Sequence, residues 1–435
     1  MTQSFDVIIV GAGMVGAALA NGLAQAGLTV ALLDRETPAP FAPEDPPDLR
    51  VSALSAGTET YLSRLGVWSR ISAMRLTPYR RLSVWDASHH PLSNLITKPL
   101  ARTTFDAADL GRRHLGHIVE NRVTQRALWD QAGSDERITR LTDVTVSAID
   151  NGADAATLTL TDGRTLTAEV LVGADGARSQ IRQLAGIGTT SDQYAQQAMV
   201  ISVQYAGSPQ DITWQAFHPS GPRAFLPLHS VEPDGAAEHS WGSLVWYDTP
   251  ARLSELKALP EDALISDIQR AFPQDLPPLV KVAGRASFPL ARQHAKSYFV
   301  NRVVLAGDAA HTINPLAGQG VNLGFQDAEA LQQTLVEARR AGQPLATASG
   351  LAHYQSVRKP ANRRMMLAMD LFYHAFSNQT PPLHLARNIG LALANSLPFA
   401  KQQVTRYAMG IDAQLPLPIR QLIDRAPRLP FMNRG

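Results

Sequence analysis

A chain of 435 residues, 45% hydrophobic and 18% charged, is long enough for about two or three domains and too apolar for a disordered scaffold. Its 40 basic and 38 acidic residues leave a formal charge of +2, which argues against a dedicated nucleic-acid binder. With no cysteine, it has no disulfide, no thiolate metal site, no cysteine-ligated iron–sulfur cluster and no cysteine nucleophile.

FDVIIV (5–10) reads as a buried parallel strand, Met14 to Ala26 as a helix stopped by Gly27, and LTVALLD (28–34) as a second buried strand. Together they predict a βαβ unit. The apolar run Val7 to Ala20 lacks a preceding Lys or Arg and is too short to span a bilayer, so it is neither a signal peptide nor a membrane helix. Residues 36–48 are Pro-rich and read as loop. Thr58 to Trp68 reads as a helix, and a strand ending near Glu120 leads into a helix over Thr124 to Ala132. VTVSAID and ATLTLTDG, within 144–163, alternate like an antiparallel pair. AEVLVGA (168–174) is another buried strand. From Met199 to Asp248 the chain is strand-rich and carries Trp214, Phe217, Phe225, Trp241, Trp246 and Tyr247, a pattern that reads as the core of an antiparallel sheet in a second domain. VVLA (303–306) returns as a buried strand, then a Gly-rich turn opens a helix from about Gly320. Residues 352–410 read as mostly helical, and 411–435 as a Pro-rich tail bearing Arg420, Arg425, Arg428 and Arg434.

Three motifs carry chemistry. Gly11-x-Gly13-x-x-Gly16 lies between strand and helix: the first glycine makes the tight turn, the second admits a pyrophosphate, and the third packs helix on strand. Asp34 closes the second strand, where a carboxylate can bond a ribose hydroxyl. This motif does not separate FAD from NAD. The second motif, Gly307-Asp308-Ala-Ala-His311 through Pro315, Gly318, Gln319, Gly320 and Asn322, follows a buried strand. An aspartate at a strand end suits a polyol. Exposed N–H groups at a helix start stabilise negative charge, which suits a reduced flavin. The third motif, Gly173-Ala-Asp175-Gly176-Ala-Arg178-Ser179, would alone be a turn and helix cap. No linear metal-ligand spacing such as HExxH occurs, and no metal is expected.

The three motifs, in this order, resemble those of the FAD-dependent aromatic hydroxylases of the para-hydroxybenzoate hydroxylase type, over nearly all of 5–410. GDAAHTINPLAGQGVNLGFQDAEAL (307–331), DLRVSALSAGT (48–58), LGVW (65–68) and VENRVTQRALW (119–129) are similar to the ubiquinone-biosynthesis hydroxylases within that group. PYRRLSVWD (78–86), WQAFHPSGPRAFLPL (214–228), SLVWYDTPAR (243–252) and MDLFYHAFSN (369–378) resemble the members that act on the demethoxyquinol ring.

The resemblance implies an α/β fold: a discontinuous Rossmann-like FAD-binding domain (1–75, 101–185 and 290–350), an antiparallel β-sheet substrate domain (76–100 and 186–289), a helical region (351–410) and the tail (411–435). It implies that Gly11, Gly13, Gly16 and Asp34 hold the ADP half of FAD. Arg50 and Asn121 match positions near the pyrophosphate and ribityl chain, Asp308 the residue on the ribityl hydroxyls, and Pro315 to Asn322 the loop under the flavin ring. Asp175 and Gly176 match a motif tied to both FAD and NAD(P)H. No second GxGxxG serves a pyridine nucleotide, so the electron donor is NAD(P)H bound without its own Rossmann domain, or a protein reductant.

The implied reaction uses O₂ to hydroxylate 2-polyprenyl-3-methyl-6-methoxy-1,4-benzoquinol by way of a flavin C4a-hydroperoxide. The alternatives are sibling hydroxylases acting on 2-polyprenylphenol or 2-polyprenyl-6-methoxyphenol, and a flavin-containing structural subunit of the biosynthetic complex. Arg223, Phe225 and Pro227 are candidate substrate residues, set against plain strand packing. No catalytic base is named; His311 reads as a structural hydrogen-bonding residue, and His218, His229 and His294 as surface residues. A cytoplasmic location follows from the absence of a long apolar span. The polyprenyl tail of the substrate suggests peripheral contact with the inner face of the membrane. Two stretches suit that contact, Arg358, Lys359, Arg363 and Arg364 with the apolar run 365–376, and the tail; a solvated basic face or a subunit contact are the rival readings.

Overall fold

Val7, Ile8 and Ile9 are wholly buried on both sides of their strand, as a central parallel strand requires. They belong to a computed structural model that describes residues 3–87, 102–230, 238–314 and 320–376, with 402, 406 and 409 beyond. Numbered along the chain, the strands begin with β1 (Gln3–Val10), β2 (Val30–Leu33), β3 (Val51–Ser55), β4 (Thr77–Tyr79), β5 (Arg81–Asp86), β6 (Arg102–Asp106), β7 (Gly116–Glu120), β8 (Ile138–Leu141), β9 (Val146–Asn151), β10 (Ala156–Leu160) and β11 (Thr165–Gly173). They continue with β12 (Thr189–Ala206), β13 (Ile212–His218), β14 (Gly221–Pro227), β15 (His239–Asp248), β16 (Leu279–Ala295), β17 (Phe299–Val300), β18 (Val303–Leu305) and β19 (His311–Thr312). The helices are α1 (Met14–Gln25), α2 (Ala56–Arg64), α3 (Trp68–Met74), α4 (Asn121–Ala132), α5 (Gln180–Leu184), α6 (Pro250–Ala258), α7 (Glu261–Ala271), α8 (Gly320–Arg340) and α9 (Ala348–Phe376).

The first sheet runs β17-β18-β11-β1-β2-β8, with β1 parallel to both β11 and β2, and β9 and β10 paired antiparallel beside β11. The βαβ unit and the meander thus stand where periodicity places them. Ala17, Ala18, Leu19 and Leu23 of α1 are fully buried against this sheet, α4 and α8. The side-chain amide of Asn21 donates to the carbonyl of Leu128 on α4 at 3.0 Å. The helix expected over 58–68 is two helices, because the chain turns at Gly66, whose φ is +72°.

The second sheet runs β19-β16-β12-β15-β14-β13-β5-β6 and is antiparallel except for the β13–β5 pair. One face is covered by α6 and α7: Met199, Ile201, Val203, Trp214, Phe225, Leu244 and Trp246 pack on Leu253, Leu256, Leu264 and Ile268. The other face carries Ala198, Phe217, Tyr247 and Leu290, with Val84, Val245 and Met369 against them. The boundary drawn at residue 100 is displaced. Arg102–Asp106 pairs with Arg81–Asp86, so β6 belongs to the antiparallel sheet and not to a nucleotide-binding segment that starts at 101. A third small sheet, β3-β7-β4, lies at the start of α2 and α4. Among the described residues no helix is long and apolar enough to cross a membrane.

Candidate cofactor and substrate site

β1 ends at Val10 and the chain reverses through Gly11-Ala12-Gly13 into α1. Gly11 holds φ +107°, and a Cβ there would lie 2.3 Å from the carbonyl oxygen of Ala174, just past β11. A Cβ on Gly16 would lie 1.9 Å from the carbonyl oxygen of Gly11. Glycine at both positions lets strand, turn and helix close up. Gly13 differs, since a Cβ there would meet nothing within 4 Å. It is the N-cap of α1, with no side-chain cap bond and no acidic residue in the first turn. Bare N–H groups and the positive end of the helix therefore face open space, a cradle that fits a pyrophosphate. Beside it, Asp34 accepts the Ala12 N–H at 2.6 Å and the Arg35 N–H at 2.7 Å.

Arg50 and Asn121 meet at the paired ends of β3 and β7: the Arg50 carbonyl accepts the Asn121 N–H at 2.8 Å, and the Asn121 side chain accepts from the Ser52 hydroxyl at 2.6 Å. The Arg50 side chain is exposed. Asp308 follows Gly307, whose φ is +61°. Its side chain is open to solvent, yet the surrounding protein desolvates it and holds its carboxyl above the ordinary value; His311 and Arg50 pull in the opposite direction without cancelling this. Arg50 is near enough to Asp308 for their charges to attract.

Other expected residues serve the scaffold. Asp175 accepts from the Ser179 hydroxyl and from the N–H groups of Gln180 at 2.7 Å and Ile181 at 3.1 Å, capping α5, while Gly176 takes φ +82°. The turn-and-cap reading of that motif describes what its side chains do. Asn322, on the first turn of α8, accepts from Ser55 N–H at 3.0 Å and Thr58 hydroxyl at 2.8 Å and donates to Ala53 carbonyl at 2.9 Å. It bolts the helix start to the β3–α2 corner. Gly320 begins α8; Pro315, Gly318 and Gln319 lie outside the described residues.

Behind the Gly307-Asp308 turn sits a buried charge network. Asp327 is 0% exposed and accepts from His311 Nε2, from Arg358 Nε at 2.7 Å, from the Asn362 amide at 3.0 Å and from Gly307 N–H at 3.2 Å. Burial would raise its carboxyl, but His311 and Arg358 outweigh it and hold Asp327 well below the usual carboxylate range. This corrects the reading of Arg358 as part of a basic surface. It is buried and paired, and Met365 and Met366 pack inward on Ile313 and Leu323. A signal for the network was present in the spacing Leu323, Asp327, Leu331, which puts a carboxylate on the buried stripe of α8. His294 is also half-buried, bonded to the Tyr298 hydroxyl at 2.9 Å, and burial lowers its imidazole to about 4. His218 and His229 are likewise half-buried rather than surface residues.

The substrate candidates lie on the face of the sheet that α6 and α7 cover. Arg223 is buried, donates to the carbonyls of Gly221 at 2.9 Å and Tyr247 at 2.8 Å, pairs with Asp248 at 3.2 Å and lies over the Trp246 ring at 4.6 Å. Phe225 stacks on Trp214 under α6 and α7, and Pro227, two residues further along the strand, shares its face. Strand packing accounts for all three. The alternate residues, Phe217, Val245 and Tyr247, form the opposite face, and the Tyr247 hydroxyl donates to Asn314 at 3.1 Å, at the edge of the Gly-rich segment. That face was legible as the other half of the alternation; which half the helices α6 and α7 cover was not.

The family described as FAD binding domain matches residues 4–368. The chain belongs to this family. FAD is its cofactor, and the glycine cradle at the start of α1 fits the pyrophosphate of that group. The chain is 44% identical over 409 residues to 3-demethoxyubiquinol 3-hydroxylase of Escherichia coli, covering 94% of this chain and 99% of that one. It is 33% identical to ubiquinone hydroxylase UbiL of Rhodospirillum rubrum, covering 93% and 89%. The solved structure of p-nitrophenol 4-monooxygenase PnpA from Pseudomonas putida superposes with a TM-score of 0.75 over 95% of this chain and 100% of that one; at 18% identity it shows the shared fold.

Proposed function

We propose that this FAD-dependent monooxygenase hydroxylates the ring of a polyprenylated benzoquinol, of the 2-polyprenyl-3-methyl-6-methoxy-1,4-benzoquinol class, taking one oxygen atom from O₂. The observation that carries the reading is 44% identity, over 94% of this chain, with the demethoxyubiquinol hydroxylase of Escherichia coli. When bound and reduced, FAD supplies the activation of O₂. The chain's own residues bind and enclose. Gly11, Gly13 and Gly16 with the start of α1 hold the pyrophosphate, Asp34 the ribose, and Arg50, Asn121 and Asp308 the stretch towards the ribityl chain. Pro315 to Asn322 support the ring, with Asn322 acting through position. Phe217, Val245 and Tyr247 form an apolar roof that orients an aromatic ring and excludes water. The ring must be held by packing here, because Arg223 is already committed to Asp248.

Electrons come from NAD(P)H bound without a Rossmann module of its own, or from a reductase. The polyprenyl tail brings the enzyme to a membrane surface. With Arg358 turned inward, the tail 411–435, which lies outside the described residues, is the segment to test, by truncation after Gly410 and sedimentation with anionic vesicles. Four arginines near such a surface give about 1 kcal/mol each. The test of the reaction is turnover under ¹⁸O₂ with a short-chain demethoxyubiquinol. One labelled oxygen on the ring supports the reading. Label from water, or preference for a 2-polyprenylphenol, overturns it.

A further inference from the structure

Three side chains from two stretches of the chain converge outside the glycine motifs. Glu59 is on the first turns of α2, His114 in the loop before β7, and His117 on β7. Glu59 Oε2 lies 2.9 Å from His114 Nε2 and 3.4 Å from His117 Nδ1, and the three ligand atoms all fall within 4.8 Å of one another. His117 is 6% exposed, and its Nδ1 has no hydrogen-bond partner although it is aimed into the cluster. Leaving a buried ring nitrogen unpaired is costly, and a ligand at this point would satisfy it. The ring is held in place by the edge of Trp68, with centroids 4.9 Å apart.

We infer that Glu59, His114 and His117 form a binding site for a divalent transition-metal ion of the zinc type. Bonds of 2.0–2.1 Å in a tetrahedral site put ligand atoms about 3.4 Å apart, near the 2.9 and 3.4 Å found from Glu59 to the two histidines. Two imidazole nitrogens and one carboxylate oxygen suit zinc and its neighbours; magnesium and calcium prefer all-oxygen sets. Glu59 and His114 are each about a quarter exposed, at 25% and 27%, so an ion can enter and water can complete its shell. An ion here ties the loop before β7 to α2, one residue from Thr58, which holds Asn322 at the start of α8.

The holoenzyme is equilibrated with Zn²⁺ or Mg²⁺, desalted, and its metal content measured against His114→Ala, His114→Gln and Glu59→Gln. All three substitutions are at part-exposed positions, and flavin content and far-UV circular dichroism confirm folding. The expected result is one zinc per chain more in the wild type than in each variant, no such difference with magnesium, and zinc affinity at least about tenfold weaker in the variants. X-ray absorption of the zinc form should show two imidazoles. Equal zinc uptake by wild type and folded variants, or no uptake by the wild type at micromolar zinc, overturns the assignment and leaves the cluster as a Glu–His hydrogen-bond group.

Discussion

Arg358 on α9 donates its Nε–H to Asp327 on α8 at 2.7 Å, with both side chains buried, and this pair stands directly behind the Gly307-Asp308 turn. Removing the cation leaves a carboxylate in the interior with only His311 for charge compensation. Arg358→Met should cost about 3–5 kcal/mol of stability in urea unfolding. Adding Asp327→Asn should restore part of that loss, because the uncompensated charge goes with it.

The same carboxylate sets an acid limit. Its folded-state value is depressed, so its contribution is present in full above the unfolded value of about 4 and is lost as pH falls below it. Unfolding free energy of the wild type should therefore fall more steeply below about pH 4 than that of Asp327→Asn. Parallel acid limbs for the two proteins would contradict the depressed value.

Two glycines of one turn should fail in different ways. Gly11→Ala places a methyl 2.3 Å from a backbone oxygen at a positive φ, and should give insoluble or poorly folded protein. Gly13→Val projects into open space, so the apoprotein should melt as the wild type does while flavin binding collapses. Differential scanning fluorimetry with and without FAD separates the two.

Asp308→Ala should keep the fold and weaken FAD. Losing a hydrogen bond to a charged acceptor costs about 1.5–3 kcal/mol, roughly a 10- to 150-fold rise in Kd by titration of the apoprotein. Unchanged affinity would remove Asp308 from the cofactor site.

The two faces of the antiparallel sheet make a further contrast. Phe225→Ala should lose about 3–5 kcal/mol of stability, with the folded fraction keeping its KM for quinol. Phe217→Ala should instead raise KM and divert reducing equivalents to H₂O₂, measured as the ratio of peroxide to hydroxylated product.

How legible this molecule is depends on the range of each signal. FDVIIV-GAG-MVG is local: an unbroken apolar run and three glycines specify strand, turn and helix within a few residues. Alternation in β14 shows that Arg223, Phe225 and Pro227 share a face, but not that α6 and α7 cover it, because that depends on helices some 25 residues further on. Arg358 reads as surface charge because its partner lies 31 residues away on another helix. Glu59, His114 and His117 form no linear motif, and only the pairing of β3 with β7 brings them together.

The two long strands have a mechanical consequence. β12 and β16, of 18 and 17 residues, pair antiparallel along most of their length, and β16 then pairs His294 with His311 of the flavin motif. The antiparallel sheet and the short strand His311–Thr312 are therefore continuous through one hydrogen-bonded ladder. The His311 strand leaves that ladder only by breaking its pairing with β16, so the second sheet and this strand should unfold together, with flavin lost in the same calorimetric endotherm.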